Sequence, residues 1–185
     1  MDASQLQQVE QLATQLYSGI NTAESQSRLL SLQSSSSQIP TCQYILNNST
    51  VPYALLVASN SLNHLVTSHW NNLTVLQRIE LRNYVLDYLG SKGSTIESFV
   101  LTSIIQLVCR ITKLGWFDDQ THRELPTLVQ KFLEATVDHC IIGLKILNQL
   151  VDELNIPTKG RTLTAHRKSA VSFRDTSLKK VSGAF

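Results

Sequence analysis

Apolar residues recur at helical spacing along most of the 185-residue chain, whereas the strict alternation of a half-buried strand is hard to find. The first apolar stripe ends near Gly19. A second helical segment, Ala23–Leu32, is followed by the serine run Ser34–Ser37, which interrupts the pattern as a turn does. The first stripe comprises Leu6, Val9, Leu12, Ala13 and Leu16. This periodicity predicts an all-α fold.

Capping signals delimit the remaining helical segments. Pro52 suits a first helical turn, because its missing N–H has no intrahelical partner there. Thr74 and Gln77 have the spacing of a capping box, and Gly90 with Gly93 is expected to end that helix in the left-handed conformation. We therefore predict helices at Cys42–Asn47, Pro52–His69, Thr74–Gly90, Thr95–Leu114, Leu125–Val137 and Ile141–Leu154, with the last break at Asp138–Cys140.

The segments group into pairs that begin near Ser4, Gln38, Thr74 and Thr121, a period of about 40 residues. That period is typical of HEAT-type α-solenoids, in which each antiparallel helix pair is covered on two sides. A four-helix bundle would need apolar residues on one side only, and many helices here carry them on more than one. We predict about four HEAT-like pairs over residues 1–158. A basic loop and the start of a further helix are predicted over 159–185.

Two of the predicted helices carry a polar stripe beside their apolar residues. In a helical-repeat protein such a stripe is either a solvated face or a partner-binding surface, and the stripe alone does not distinguish the two. The first helix contributes Asn60, Asn63, His64 and Thr67, and the second contributes Thr102, Gln106, Arg110 and Lys113, beside apolar residues such as Phe99.

The segment after Gly115 offers the main candidate for catalytic chemistry. Asp118, Asp119 and His122 could together hold a metal or transfer protons. The alternative is that both aspartates cap the next helix, where carboxylates are favoured. Only Glu124 is close enough in sequence to complete a ligand set, and the phosphate-loop, nucleophile-elbow and dinucleotide motifs are missing. We favour capping, and predict a protein that is not an enzyme, with no catalytic residue, cofactor or metal.

Large aromatic residues and charge add two expectations. Trp116 and Phe117 are predicted to pack against the next helix pair, because Gly115 allows the helix to stop before them.

The net charge of +2 is too small to favour nucleic acid or an anionic membrane as the partner. The first residues lack the pattern of a signal peptide. Basic residues gather only near the end, at Lys159, Arg161, Arg167, Lys168, Arg174, Lys179 and Lys180.

Five stretches, in order and spacing, resemble the N-terminal part of the exportin-7 family of Ran-binding nuclear transport receptors, in the importin-β superfamily. The resemblance runs from about Leu6 to Leu178, and RITKLGWFD is its most specific element. The stretches are CQYILNNSTVPYALLVASNSL, QRIELRNYVLDYLGSKG, FVLTSIIQLVCRITKLGWFDD, DHCIIGLKILNQLVDELN and HRKSAVSFRDTSL.

The resemblance implies a HEAT array of the importin-β N-terminal type that grips Ran-GTP through the second helices of its first pairs. It makes the eight polar stripe residues candidate Ran contacts, and it implies protein cargo, nuclear pore proteins and shuttling between nucleus and cytoplasm. The family is several times longer. Because Lys179, Lys180 and Gly183 leave the last helix without an apolar face, the sequence predicts a truncated product. The alternative function is therefore an interaction scaffold without independent transport activity.

Overall fold

The computed structural model describes residues 1–158 and 161–178, and in this part of the chain the regular structure is helical, without a strand. The predicted all-α class and the succession of antiparallel helix pairs are confirmed. Over the same residues, no helix combines the length and the apolarity that crossing a bilayer requires. The helices are α1 (Ala3–Tyr17), α2 (Thr22–Leu29), α3 (Ile39–Asn48), α4 (Pro52–His69), α5 (Val75–Lys92), α6 (Ser98–Leu114), α7 (Leu125–Leu133), α8 (Val137–Asn155) and α9 (Leu163–Phe173).

The chain forms two compact units, and one of the boundaries between them falls within α6. The first contains Met1–Leu73 and Ile96–Leu107. The second contains Thr74–Thr95 and the described residues from Val108 onward. The boundary at residue 158 that the sequence suggested stays a prediction.

In the first unit, α1 packs on α2 and α4, and α3 packs on α4. The start of α1 is fixed by a capping box, in which Asp2 accepts from the Gln5 backbone N–H at 2.9 Å and Gln5 accepts from that of Asp2 at 3.0 Å. Its end is fixed by Gly19, which has a φ of +78° that side-chain-bearing residues rarely adopt. These local signals are the reason the first helix ends where its apolar stripe ends.

In the second unit, α7 packs on α8, and α8 on α9. Gly143 permits the close approach of α7 and α8, because a Cβ at this position would lie 2.9 Å from Leu133 Cδ2. The capping box of α5 is present as predicted. The Thr74 N–H donates to Gln77 Oε1 at 2.9 Å, and the Gln77 N–H donates to Thr74 Oγ1 at 3.2 Å.

The predicted break between the last helix pair was misplaced. α7 ends at Leu133, and α8 begins at Val137, so Asp138–Cys140 lies inside the first turn of α8. The reason is an N-cap that the sequence reading missed: Thr136 Oγ1 accepts from the His139 backbone N–H at 3.4 Å.

The two glycines expected to end α5 in the left-handed conformation do not do so. α5 runs through Gly90 to Lys92, and Gly93 follows in the right-handed helical region with a φ of −57°. Gly93 is instead required by packing, since a Cβ there would lie 2.4 Å from the Leu89 carbonyl oxygen and 2.8 Å from Ile142 Cδ1. Close approach, not turn geometry, explains this glycine.

The further helix predicted after residue 158 is present as α9. Thr162 caps it, accepting from the Ala165 N–H at 3.2 Å, and Phe173 near its end is buried. The described part of α9 therefore has a packing face. Lys159, Gly160, Lys179, Lys180 and Gly183 lie outside the described residues.

Candidate partner-binding surface

The polar stripe of α4 has the exposure that a contact surface requires. Asn60 and His64 are exposed, and Asn63 and Thr67 are half-buried. Leu62, between them, is fully buried, as are other apolar residues on the opposite side of the helix. The 3.6-residue period thus separates the two sides of α4 as the sequence predicted.

The first half of α6 contributes two exposed residues, Thr102 and Gln106, in the same unit as α4. The residue between them, Ser103, is buried and joins the two helices. Its hydroxyl donates to Asn60 Oδ1 at 2.8 Å, and its carbonyl accepts from Asn63 Nδ2 at 3.2 Å. We call the surface formed by Asn60, Asn63, His64, Thr67, Thr102 and Gln106 the α4–α6 polar surface.

This surface carries no Lys, Arg, Asp or Glu side chain. The hydroxyl hydrogens of Thr67 and Thr102 are used internally, since Thr67 donates to the Asn63 carbonyl at 2.7 Å and Thr102 to the Ser98 carbonyl at 2.9 Å. Their oxygens keep acceptor capacity, and the Asn and Gln amides can donate and accept. The α4–α6 polar surface therefore suits recognition by hydrogen bonds more than by charge.

Arg110 and Lys113 lie in the second unit and are engaged there with Glu153 of α8. Arg110 is half-buried and binds the carboxylate with two nitrogens, Nε to Oε1 at 2.5 Å and Nη2 to Oε2 at 3.3 Å. Lys113 is only 6% exposed. The expectation of an exposed stripe is therefore wrong for Lys113, because its periodic position coincides with the surface that contacts α8.

The ammonium group of Lys113 is held by three oxygens at the end of α8. It donates to the Glu153 carbonyl at 2.7 Å and to the Ile156 carbonyl, and it lies 3.6 Å from Glu153 Oε1. Burial lowers the pKa of Lys113, and Arg110 adds to this, while the Glu153 charge opposes it. A cation on the last carbonyls of a helix compensates the negative end of its dipole. Lys113 thus satisfies two carbonyl groups at the C-terminal end of α8.

The two aspartates after Gly115 have different partners. Asp119 Oδ1 accepts from the Thr121 N–H at 2.8 Å and caps the short 3-10 helix Gln120–Glu124, as predicted. Asp118 is not the N-cap of this helix. Its Oδ2 lies 2.6 Å from Nη1 of Arg78 on α5, which is a contact that spacing alone could not show.

His122 packs directly on Gly115. It is fully buried, and a Cβ on Gly115 would lie 2.5 Å from His122 Cδ2. Burial, with the Arg82 charge adding to it, lowers the pKa of His122 to about 4, although Asp118 and Asp119 oppose the shift. Within the described residues, no group of three or more His, Cys, Asp or Glu side chains could hold a metal ion. At neutral pH His122 is an uncharged packing residue.

The low pKa of His122 predicts a loss of stability on acidification. Between pH 6.5 and pH 4 the unfolded chain binds a proton at this residue and the folded chain does not, so stability falls as pH falls. From pH 7 to pH 5 this one residue should reduce the free energy of unfolding by about 2 kcal/mol. Urea denaturation at several pH values measures the slope. It should flatten in His122→Gln and stay unchanged in the exposed-residue control His64→Ala; equal slopes in all three proteins would refute the assignment.

Of the two aromatic residues after Gly115, only Trp116 is a packing anchor. It is 0% exposed, and its ring meets that of Phe173 edge-on at a centroid distance of 5.8 Å. Its Nε1–H donates to Ser172 Oγ at 3.0 Å. Phe117 is 58% exposed, so the expectation that it packs was wrong. Trp116 contacts α9, which lies beyond the helix pair it was expected to meet.

Sequence reasoning missed an exposed aromatic stack in the first unit. Tyr17 and Tyr53 stack at 4.9 Å between ring centroids, and Tyr53 and Phe99 at 6.0 Å. The sequence pattern puts Phe99 among the apolar residues of α6, yet it is 40% exposed. The three residues come from the end of α1 and the starts of α4 and α6. Because they are far apart in sequence, no local pattern predicts that they meet.

Residues 23–91 match the family described as the importin-beta N-terminal domain. The matched segment includes all of α3 and α4, and therefore the α4 half of the α4–α6 polar surface. The class of domain in this chain is thus a helical importin-β N-terminal domain, as the resemblance in sequence implied.

The relatives make the identification more specific. Ran-binding protein 17 of Homo sapiens is 43% identical over 183 residues, or 95% of this chain. Exportin-7-A of Xenopus laevis is 41% identical over 180 residues, or 94% of this chain. Ran-binding protein 16 of Drosophila melanogaster is 34% identical over 94% of this chain. The chain is therefore a relative of exportin-7 and Ran-binding protein 17 within the importin-β superfamily. It spans 16–17% of the length of these relatives.

Proposed function

We propose that this chain is a Ran-GTP-binding segment of a nuclear export receptor, and that Ran contacts the α4–α6 polar surface. The observation that carries the proposal is that the exposed polar residues of α4 and α6 share one surface, held by Ser103. The α4 half lies inside the importin-β N-terminal match. Relatives named as Ran-binding proteins support Ran as the partner.

Arg110 lies in the second unit and is a separate candidate contact, through the 29% of its side chain that stays exposed. Lys113 is a weaker candidate, because its ammonium group is already satisfied by Glu153 and Ile156. We therefore assign the main contact to Asn60, Asn63, His64, Thr67, Thr102 and Gln106.

The wider role we propose is that of a transport receptor and not of an enzyme. Ran would supply the nucleotide, and Ran-GTP and protein cargo would bind the receptor at two coupled sites, each changing the affinity of the other by the same factor. Nuclear pore proteins would be further partners, and the receptor would shuttle between nucleus and cytoplasm. Cargo binding and pore contacts are proposed for the longer receptor, since this chain corresponds to 16–17% of its relatives.

A pull-down with purified full chain and Ran loaded with either a non-hydrolysable GTP analogue or GDP tests the proposal. Retention of the GTP form alone supports it. Equal retention of both forms, or of neither, would contradict it. In the latter case, a folded helical protein by circular dichroism would indicate the scaffold function instead.

Substitutions on the α4–α6 polar surface should weaken the binding of Ran-GTP. We expect His64→Ala and Gln106→Ala each to raise the dissociation constant about fivefold, because each removes a hydrogen-bonding side chain. Biolayer interferometry with immobilised Ran measures the change. The control Gln11→Ala alters an exposed residue of α1 and should bind as the wild type does. If all three variants bind equally, the contact lies elsewhere.

A further inference from the structure

Ser103 is a buried polar residue that touches both asparagines of the α4–α6 polar surface. The residue as a whole is 4% exposed. The hydroxyl donates to Asn60 Oδ1 at 2.8 Å, and the carbonyl accepts from Asn63 Nδ2 at 3.2 Å. A second buried hydroxyl, that of Ser59, lies 2.8 Å from Ser103 Oγ. One residue of α6 thus fixes two side chains of α4.

The contact decides which part of Asn60 faces outward. Because its amide oxygen accepts from Ser103, the amide nitrogen is the group that remains to donate from this exposed residue. Asn63 is engaged through its nitrogen, so its oxygen remains as an acceptor. The two asparagines therefore present a donor and an acceptor in a fixed order.

Fixing these side chains before binding has a thermodynamic consequence. A free asparagine on a helix surface loses rotational freedom when a partner immobilises it, and this loss weakens binding. The hydrogen bond from Ser103 removes much of that freedom in the unbound protein. The Ser103 hydroxyl is itself buried, and the Asn60 oxygen supplies the acceptor that a buried hydroxyl needs.

We propose that Ser103 is a positioning residue for partner recognition. It orients the Asn60 amide so that its Nδ2 group donates to a hydrogen-bond acceptor of the partner, either a backbone carbonyl or a carboxylate. This assignment rests on the proposed function, which places Ran-GTP on the same surface. Ser103 itself does not touch the partner.

Binding of the full chain to Ran loaded with a non-hydrolysable GTP analogue tests the proposal in a double-mutant cycle. We expect Asn60→Ala to raise the dissociation constant about fivefold and Ser103→Ala about threefold. The double variant should bind no more weakly than Asn60→Ala alone, because Ser103 acts through Asn60. A merely structural role would give independent, multiplying effects.

The matched control is Ser61→Ala. It removes a buried hydroxyl of α4 that lies 3.5 Å from Gln33 Nε2 and does not contact the asparagines through Ser103. It should leave the dissociation constant unchanged. Ser103→Ala should still fold, because Ser59 keeps the Leu56 carbonyl at 3.0 Å as an acceptor. If it does not fold, Ser103→Cys replaces it, and this weaker donor should also weaken binding.

The outcomes separate this inference from the proposed function. If the wild type fails to bind Ran-GTP, or Asn60→Ala binds as the wild type does, the proposed contact fails and the role of Ser103 fails with it. If Asn60→Ala weakens binding but the Ser103 variants do not, or if the two effects multiply, only the positioning role is overturned.

Discussion

Replacing Trp116 with alanine should lower the free energy of unfolding by about 3–5 kcal/mol. The indole is fully buried, so its removal loses the transfer free energy of a large apolar group and leaves a cavity. It also removes the edge-on contact with Phe173 and the hydrogen bond that the indole N–H donates to Ser172 Oγ. The loss therefore combines three interactions at one position between α6 and α9.

The neighbouring residue supplies the control. Phe117→Ala removes an aromatic ring of comparable size that is 58% exposed, and it should change the free energy of unfolding by less than about 0.5 kcal/mol. Urea denaturation followed by far-ultraviolet circular dichroism compares the two variants without relying on tryptophan fluorescence. Similar losses in both variants would show that Trp116 is not the anchor that its burial indicates.

Sequence periodicity and capping signals predicted most of the helices because both act within a few residues. The capping box at Thr74 and Gln77 and the first-turn Pro52 mark helix starts that the structure shows. Gly19 ends α1 because of its own backbone conformation. A predicted helix boundary is wrong where the local signal is ambiguous, as at Thr136, which caps α8.

Burial of individual side chains was harder to predict because it depends on residues distant in sequence. Periodicity placed Lys113 on the polar stripe of α6, yet Glu153 lies forty positions further along the chain, and only the fold brings the two together. The same is true of Asp118, which meets Arg78 of α5. Gly115 suggested a helix end, but the close approach of His122 gives the stronger reason for a glycine.

The candidate surface was predictable only in part, because helical period determines which residues are exposed but not how α4 and α6 pack. The exposure of Asn60, His64, Thr102 and Gln106 follows from helical period alone. Ser103 lies on the same helix as Thr102 and Gln106, but nothing local distinguishes it from other buried serines. Its role follows from the packing of α6 against α4, which sequence periodicity does not specify.

Replacing Glu153 with glutamine should lower the free energy of unfolding by about 3 kcal/mol at neutral pH. The change keeps the shape of the side chain but removes the negative charge beside Lys113 and Arg110. Lys113 is buried, so its ammonium group would lose the carboxylate that lies 3.6 Å from it. Removing one partner of a buried pair is costly because the other charge stays away from water.

The neighbouring acidic residue on the same helix is the control. Asp152 is exposed, and Asp152→Asn should change the free energy of unfolding by less than about 0.5 kcal/mol. A second comparison isolates the buried cation: adding Lys113→Met to Glu153→Gln should restore part of the lost stability, because no unpaired charge is then buried. Equal effects of Glu153→Gln and Asp152→Asn would contradict the assignment.

The pH dependence of the Glu153→Gln effect gives a further check on its cause. Burial lowers the pKa of Lys113, and the Glu153 charge raises it, so removing that charge should lower the pKa further. Between this lowered value and 10.5 the unfolded chain binds a proton at Lys113 that the folded chain releases, so the stability of the variant should rise with pH. Denaturation of both proteins at pH 7 and pH 9.5 should therefore show a smaller difference at the higher pH. A difference that stays constant would mean that the lost stability comes from hydrogen bonds and not from the buried charge.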